Sequence, residues 1–596
     1  MYRAAFAPIL LAVVVAAFSL VDRPHPLTTT LAPDAFRGDR AFQTLQGLAL
    51  QFPDRRPGGP GDAALAARVE HDLRAAICPG ERSCPNVTMR NTTGQTIDGK
   101  QDLQTVVAQR LGAPGRGIMV VAHRDAAGRH AEAELSGTAA LLELARVFGG
   151  RRTERTLTLV STSGGSGGAA GARDLASHMP QGDPRPAAVI VLDDMASAQA
   201  QRPWVQPWSE DDRVGPIQLR RTVEAALKTE TGTDAGQPRG LEQIARLAFP
   251  FSTGEEGAFN GTGIPAVALS ASGEHGPASG AAVTQDRLTA FGRAALRTID
   301  AVDNSHAVHA EPNAEVVVLN KVLPSWVMRL LVGLLLLPML VAAVDGFARV
   351  RRRRAPIAVW LRWILGLSAP FVAALAVARL LGLTGLVDAP PSAVPAGLVP
   401  TNWVALGAVA IAFVLGVVAV RPLHRWLAAV PDDAPAVSRE GGGPAAALTI
   451  SITALAFAVW IFNPFAAAVL VLPAHLWMLA VTPEVRLRRA GALALVVVAL
   501  VPAALVLGVF ASAIGAALFQ LPWSLVMLIA GGQVGPAALL VACGLGACAV
   551  GAFRLALLPA IGEAPQAPHE SVRGPMGYAG PGSLGGTASG FGEVRR

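Results

Sequence analysis

The sequence Ile118-Met-Val-Val-Ala-His-Arg-Asp125 is the clearest indication of fold class in this 596-residue chain. Its first five residues are apolar, which is typical of a strand buried on both faces, and its last three are polar. The stretch Ser136-Gly-Thr-Ala-Ala-Leu-Leu-Glu-Leu-Ala-Arg146 follows, and apolar residues at 140, 141, 144 and 147 share one face of a helix. A buried strand followed by an amphipathic helix indicates an α/β sheet, in which chemistry belongs at the carboxyl ends of the strands.

The same alternation continues along residues 41–305. Strands are predicted at 104–109, 117–122, 156–161, 187–192 and 265–270. Helices are predicted at 62–76, 137–148, 168–177, 216–229 and 285–301. We therefore expect an α/β fold with helices on both faces of the sheet.

In order, spacing and strand context, this region resembles the two-zinc aminopeptidase family. The resemblance runs from Arg56-Pro-Gly-Gly-Pro-Gly through the two stretches above to Val191-Leu-Asp-Asp-Met195. It ends with Gly263-Ile-Pro-Ala-Val267 and His275. The resemblance implies the family's mixed sheet. In that family a histidine and an aspartate bind one zinc, a glutamate and a late histidine bind the other, and a second aspartate bridges the two metals.

Four positions of the family's site are retained here. Matched residue by residue, the resemblance implies metal ligands at His123, Asp194 and His275. It gives Asp125 the role of a carboxylate that orients the first histidine and raises its basicity. The alternative is that they bind no metal. In that case His123 and Asp125 form a hydrogen-bonded pair, Asp194 caps a turn, and His275 is a loop residue.

The remaining positions depart from the family's pattern. The bridging aspartate is replaced by Ala133, and the paired glutamates, one the general base and one a zinc ligand, are replaced by Gly165 and Ser166. A catalytic zinc needs about three protein ligands, so the two-metal site is not expected to form, and zinc is expected to be absent or weakly bound. Glu132 and Glu134 flank the missing bridge, and a register shift of one residue could bring either of them to a metal.

Long apolar runs explain why 52% of the residues are hydrophobic and why mean hydropathy is +0.42. A run at 4–20 follows Arg3 and predicts a signal anchor, although its length also fits a cleaved signal peptide. Seven further spans are predicted near 326–345, 363–387, 402–420, 446–462, 465–481, 491–511 and 535–553. The stretch 521–530 is too short to cross a membrane.

Arginine placement predicts the topology. The loops at 346–355, 421–445 and 482–490 and the tail carry arginines, whereas those at 388–401, 463–464 and 512–534 contain no Lys or Arg. The positive-inside rule then makes residues 22–325 extracytoplasmic and both termini cytoplasmic in a cell-membrane protein. An oxidising compartment would let Cys78 and Cys84 pair, the alternative being two free thiols.

These features predict four regions: an anchor at 1–21, an extracytoplasmic domain at 22–325, a membrane block at 326–558 and a disordered tail at 559–596. The net charge of +7 arises outside residues 22–325, so it gives no reason to expect nucleic acid. Composition rich in Ala, Gly, Arg and Pro is typical of GC-rich bacterial coding.

Within the predicted spans, Arg379 is a charged side chain that is costly to place in a bilayer and therefore indicates function, with Asp388 as a possible partner.

The leading hypothesis is a membrane-anchored pseudo-peptidase that acts as a scaffold or binding module. Its expected partners are the lipid bilayer and a membrane-protein complex or a peptide ligand. The arrangement of anchor, ectodomain and spans is similar to the GPI transamidase attachment subunit and to multi-spanning peptidases of endoplasmic reticulum and vacuole. The alternatives are an active metallo-aminopeptidase with substituted ligands, and a transporter or lipid-handling module with a sensor ectodomain.

Overall fold

The computed structural model describes residues 2–80, 84–179, 185–198, 202–236, 238, 240–305, 311–354, 356–429, 442–482, 485 and 487–557, with side chains from residue 9 onward. The tail predicted to be disordered, at 559–596, lies outside the described residues. So does much of the predicted loop at 421–445.

Among the described residues, ten strands form two sheets. They are β1 (Val21–Asp22), β2 (Val87–Thr96), β3 (Gly99–Arg110), β4 (Ala113–His123), β5 (Arg155–Thr162), β6 (Ala188–Leu192), β7 (Trp204–Gln206), β8 (Ala266–Ser270), β9 (Val316–Val318) and β10 (Lys321–Leu323). The large sheet has the order β2-β3-β5-β4-β6-β8-β7, and the small one has the order β1-β10-β9. In the large sheet β5, β4, β6 and β8 are parallel, so their carboxyl ends meet at one edge. β2, β3 and β7 pair antiparallel with their neighbours, which makes the sheet mixed.

Helices cover both faces of the large sheet. The first face carries α2 (Gly38–Gln51), α3 (Pro60–Ile77), α4 (Glu132–Gly149), α6 (Ile217–Thr231) and α9 (Gln285–Asp303). The second carries α5 (Ala170–Ser177) and α8 (Glu256–Gly261). Within β4, Ile118 and Val120 pack into the first core, whereas Met119 and Val121 pack into the second. The apolar run of this strand is thus buried on both faces, as its sequence predicts.

The predicted α/β fold is confirmed. Each strand and helix predicted between 62 and 301 has a counterpart of the same type in the structure. The antiparallel strands β2 and β7, the helices α2, α7 (Gly240–Ala248) and α8, and the small sheet were not predicted.

The C-terminal half contains long apolar helices. They are α10 (Ser325–Arg352), α11 (Ile357–Gly366), α12 (Ala369–Leu383), α13 (Trp403–Trp426), α14 (Gly443–Phe462), α15 (Pro464–Val481), α16 (Arg489–Val498), α17 (Val501–Ala513), α18 (Leu521–Gly531) and α19 (Pro536–Leu557). Among the described residues seven spans are long and apolar enough to cross a membrane, with α11–α12 and α16–α17 each forming one broken span. The prediction of seven spans is confirmed at this level, and α18 is one of the shorter apolar helices, as expected.

The α/β domain rests on one end of the membrane block. Phe251 packs edge-on against Phe510 of α17 at 4.8 Å between ring centroids. The Asn463 side chain donates to the Leu247 carbonyl at 2.7 Å, and the Ser392 hydroxyl donates to the Gly168 carbonyl at 2.9 Å. These membrane-side contacts come from, or lie next to, the loops that contain no Lys or Arg.

The N-terminal helix and the strand after it contact the start of the membrane block. α1 (Tyr2–Phe18) packs against α10, and β1 pairs with β10 directly before α10 begins. The Lys321 ammonium lies 2.6 Å from the Asp22 carboxylate across this pair. Elsewhere in the domain, a disulfide joins Cys78, after α3, to Cys84, before β2.

Candidate functional site

His123 and Asp125 lie where β4 ends, at the carboxyl edge of the sheet. Thr138 of α4 donates its hydroxyl to the His123 carbonyl at 2.7 Å, which ties the strand end to the helix. The Asp125 carboxylate accepts hydrogen bonds from the Gly165 amide (2.9 Å), the Ser166 amide (3.1 Å) and the Ser166 hydroxyl (2.5 Å). Asp125 therefore holds the loop after β5, in addition to any influence on His123.

The loop after β5 has no room for the carboxylate that the family carries there. A Cβ on Gly165 would lie 2.5 Å from His123 Cγ, well inside van der Waals contact. Gly164 and Gly168 take φ values of +80° and +118°, which favour glycine. The glycine-rich sequence thus lets the loop turn closely over the imidazole, and the His123 side chain lies where a Cβ at position 165 would be.

The positions around the missing bridge lie at the start of α4. Ala133 is buried, Glu132 is exposed, and the Glu134 side chain lines a cavity with His123. Burial raises the pKa of Glu134 to about 7, against the opposing attraction of His123 and Arg55. Of the two predicted substitutes, only Glu134 is placed to act in this cavity.

The two aspartates after β6 point to opposite sides. Asp193 lines the cavity, together with Val191 two residues earlier. Asp194 instead accepts hydrogen bonds from the amides of Ala196 (3.0 Å) and Ser197 (2.9 Å), as a turn-capping residue does. Residue matching assigned the ligand role to Asp194, but strand alternation places residue 193 on the face that Val191 shares with the cavity.

Glu255 and Glu256 reach the same cavity from the start of α8. Thr162 donates its hydroxyl to Glu255 at 2.5 Å, and Ser252 donates to Glu256 at 2.6 Å. Burial raises the pKa of Glu255 to about 7 and that of Glu256 to about 8. One carboxylate oxygen of each is buried without a hydrogen-bond partner in the protein.

Glu274 and His275 also line this cavity. The Glu274 carboxylate pairs with the buried Arg246 guanidinium at 2.9 Å and accepts from the indole N–H of Trp208 at 2.6 Å. Arg246 stacks on the Phe251 ring at 3.6 Å, next to the membrane block. Sequence reasoning missed Glu274 and Arg246, since neither belongs to a motif.

Together these side chains surround a cavity of about 590 Å³, including the space open to solvent. Pro395 and Leu398, from the loop between α12 and α13, complete its wall, so the membrane block contributes directly to the site. Burial disfavours the imidazolium form of His123, but the surrounding carboxylates outweigh it and raise its pKa. The cavity is therefore acidic and favours a positively charged occupant.

The residues present do not fit the family's two-zinc site. Within the described part of the chain, no group of three or more His, Cys, Asp or Glu side chains is arranged to hold a metal ion. Ala133 supplies no bridge, Asp194 is engaged with backbone amides, and His123 excludes a side chain from position 165. His123 and His275 do line one cavity, as the resemblance implied.

Arg379 has a different environment from the one expected. Its guanidinium donates to the carbonyls of Ile529 (3.2 Å) and Ala530 (3.1 Å) at the carboxyl end of α18. Asp388 instead lies beside Gly99 of the α/β domain, 3.0 Å from where a Cβ on that glycine would be. Arg379 thus stabilises a helix end, where a cation complements the helix dipole, and gives no support to a transport pathway.

Several solved structures are similar to parts of this chain. LapA aminopeptidase of Legionella pneumophila matches with a TM-score of 0.36 and 15% identity, over 46% of this chain and 74% of its own. BSAP, a zinc aminopeptidase from Bacillus subtilis, matches with a TM-score of 0.35 and 11% identity, over 46% and 98%. A glutaminyl cyclase from Bacteroides thetaiotaomicron matches with a TM-score of 0.35 and 16% identity, over 44% and 98%. No protein-family model and no curated protein matches the chain. These similarities are too distant to transfer a function.

Proposed function

We propose that this chain is a membrane-anchored pseudo-peptidase whose α/β domain binds and positions a ligand without two-zinc hydrolysis. The observation that carries the proposal is the packing of His123 against Gly165. Because a Cβ at position 165 would overlap the His123 side chain, a glutamate there would require the loop or the first predicted metal ligand to move. The resemblance to the attachment subunit of the GPI transamidase, which serves as a scaffold, agrees with this proposal and rests on architecture.

The acidic cavity is the proposed binding site. Glu134, Asp193, Glu255 and Glu256 converge on it, while Arg246 is paired with Glu274. Ionising several carboxylates that are buried together around His123 is unfavourable, which is why their pKa values are raised, and a positively charged ligand would relieve that cost. A peptide with a free amino terminus or another amine-bearing group has the required chemistry.

The orientation is part of the proposal. The α/β domain lies extracytoplasmically, and both termini are cytoplasmic. Support comes from Ser392, Asn463 and Gln533, which touch the α/β domain from the loops predicted to face it. Among the described residues, Arg349 and Arg425 lie in the last turns of α10 and α13, at the ends away from the α/β domain, which agrees with the positive-inside rule.

One observation favours an active hydrolase as the second candidate. Glu134 and Glu255 lie near His123 with pKa values of about 7, which suits proton transfer at neutral pH. In that case Glu134 or Glu255 would replace the family's carboxylates.

Hydrolysis by the full-length protein in detergent separates the two candidates. Peptides with free amino termini would be incubated with added zinc, and released residues measured by mass spectrometry. The pseudo-peptidase proposal predicts no release above that of a Glu134→Gln, Glu255→Gln double variant. Zinc-dependent release that is lost in the double variant and in His123→Ala would establish the hydrolase instead.

A further inference from the structure

A second pocket, away from the acidic cavity, is basic. It has a volume of about 260 Å³, and its lining residues are Arg23, Arg220, Arg221, Glu224, Gln243 and the two apolar residues Ile217 and Val317. Three guanidinium groups thus face a single carboxylate. This charge imbalance is opposite in sign to that of the acidic cavity, so the two sites call for different ligands.

The arginines are not equally satisfied. Arg220 pairs with Glu224 at 2.7 Å, and Arg221 donates to the Pro24 carbonyl at 2.5 Å. Arg23 Nε is buried without a hydrogen-bond partner in the protein. Burial and repulsion from Arg221 and Arg220 lower the pKa of Arg23. The Glu224 carboxylate offsets part of this repulsion, but the buried Nε–H of Arg23 still has no acceptor within the protein, and an anion in the pocket would provide one.

The start of α6 adds to the positive potential. Ile217, the first residue of α6, lines the pocket, and the preceding Pro216 provides no side-chain cap for the first-turn amides. The amino end of a helix carries partial positive charge and favours anions. Arginine side chains, with planar and forked N–H donors, suit phosphate oxygens in particular.

Chain connectivity places the pocket close to the membrane surface. Arg23 is five residues beyond Phe18, where α1 ends, so it lies at most about 18 Å from that point. β1, directly before Arg23, pairs with β10, which ends two residues before α10 enters its span. The bilayer's polar headgroup layer begins where such spans end.

We infer that Arg23, Arg220 and Arg221 form a phosphate-binding site that holds the headgroup of an anionic membrane lipid. The same chemistry could be supplied by free phosphate, and the experiment below separates the two sources. The inference is independent of the pseudo-peptidase proposal, because it involves none of the residues of the acidic cavity.

The test uses full-length protein in detergent and measures thermal stabilisation on titration with phosphatidylglycerol, phosphatidylcholine or inorganic phosphate. For the wild type we expect phosphatidylglycerol to stabilise the protein at concentrations at least about tenfold lower than for Arg23→Gln, since hydrogen bonds to charged groups are the strong ones. Arg23→Lys should retain part of the effect. Arg68→Gln, which removes an exposed arginine of α3, is the matched control and should behave as the wild type.

Each outcome decides between the sources or against the site. Stabilisation by phosphatidylglycerol that depends on Arg23, with little effect of inorganic phosphate, supports the lipid headgroup. An equal, Arg23-dependent effect of inorganic phosphate supports the phosphate site and overturns the lipid source. Stabilisation that is the same in wild type, Arg23→Gln and Arg221→Gln overturns the site altogether.

Discussion

At the scale of single residues, Gly165 determines how the candidate site is built. Its missing side chain lets the loop after β5 pack on His123, while Asp125 holds the loop through two amides and a hydroxyl. A glycine where the family that this region resembles has a glutamate therefore supplies no carboxylate and also determines where the histidine can lie.

Gly165→Ala tests this packing. The new methyl group would overlap the imidazole, so we expect stability to fall by about 1–3 kcal/mol, as overpacking does. Gly150→Ala is the matched control, because nothing lies within 4 Å of a Cβ at that position. Thermal unfolding of both variants in detergent provides the measurement, and equal midpoints for the two variants would contradict the described packing.

The pH dependence of stability tests the burial of Glu256. Its pKa rises from 4.5 to about 8 on burial, so between these values the folded state binds a proton that the unfolded state releases. This group therefore makes the protein less stable as pH rises from about 4.5 to 8. Glu256→Gln removes the titration and should gain in melting temperature relative to wild type as pH rises from 5 to 8. A constant difference across this range would show that Glu256 is not buried as described.

At the scale of elements, much of the fold could be predicted from the sequence. The apolar run of β4 and the stripe on α4 follow from strong periodicity, and the long apolar spans follow from length and composition. β7 has three residues and α8 has six, so neither carries enough sequence for a periodic signal.

The candidate site was harder to predict for related reasons. His123, Asp125 and His275 were found through motif spacing, and the structure places both histidines at one cavity. Matching the family's motif favours Asp194 over Asp193 as the ligand, whereas strand alternation places Asp193 on the face of the cavity. Glu274 and Pro395 reach the cavity through tertiary packing between distant segments, which no local pattern reports.

Arg379 links two elements of the membrane block, and its removal provides a test. Arg379→Met keeps an apolar side chain of similar length but loses the hydrogen bonds to the end of α18. We expect faster amide hydrogen exchange around residues 529–533 and a loss of stability of roughly 2–3 kcal/mol. Arg362→Met, at an exposed arginine of α11 in the same span, should leave exchange there unchanged. Equal exchange in both variants would show that Arg379 does not hold this helix end.

At the scale of the whole molecule, the α/β domain and the membrane block both line the acidic cavity. The side of the membrane on which the α/β domain lies therefore determines which ligands can reach this cavity. All four cysteines are buried in helices or paired, which leaves a quiet background for thiol labelling. Leu50→Cys, at a side chain that is 82% exposed, should react with a membrane-impermeant maleimide in intact cells. Arg353→Cys, which directly follows α10 at the end of this helix away from the α/β domain, should react with the maleimide only after the cells are permeabilised. The reverse pattern would place the α/β domain in the cytoplasm.

The metal content of the whole protein distinguishes a degenerate site from a working two-zinc site. Full-length protein would be purified in detergent, equilibrated with micromolar zinc, freed of unbound metal and analysed by elemental mass spectrometry. Ala133 stands where the resembled family has the aspartate that bridges the two metals, and His123 leaves no room for a side chain at position 165. We therefore predict much less than one zinc per chain. Two zinc ions per chain, together with release of amino-terminal residues from peptides, would show that the protein is an active two-zinc peptidase.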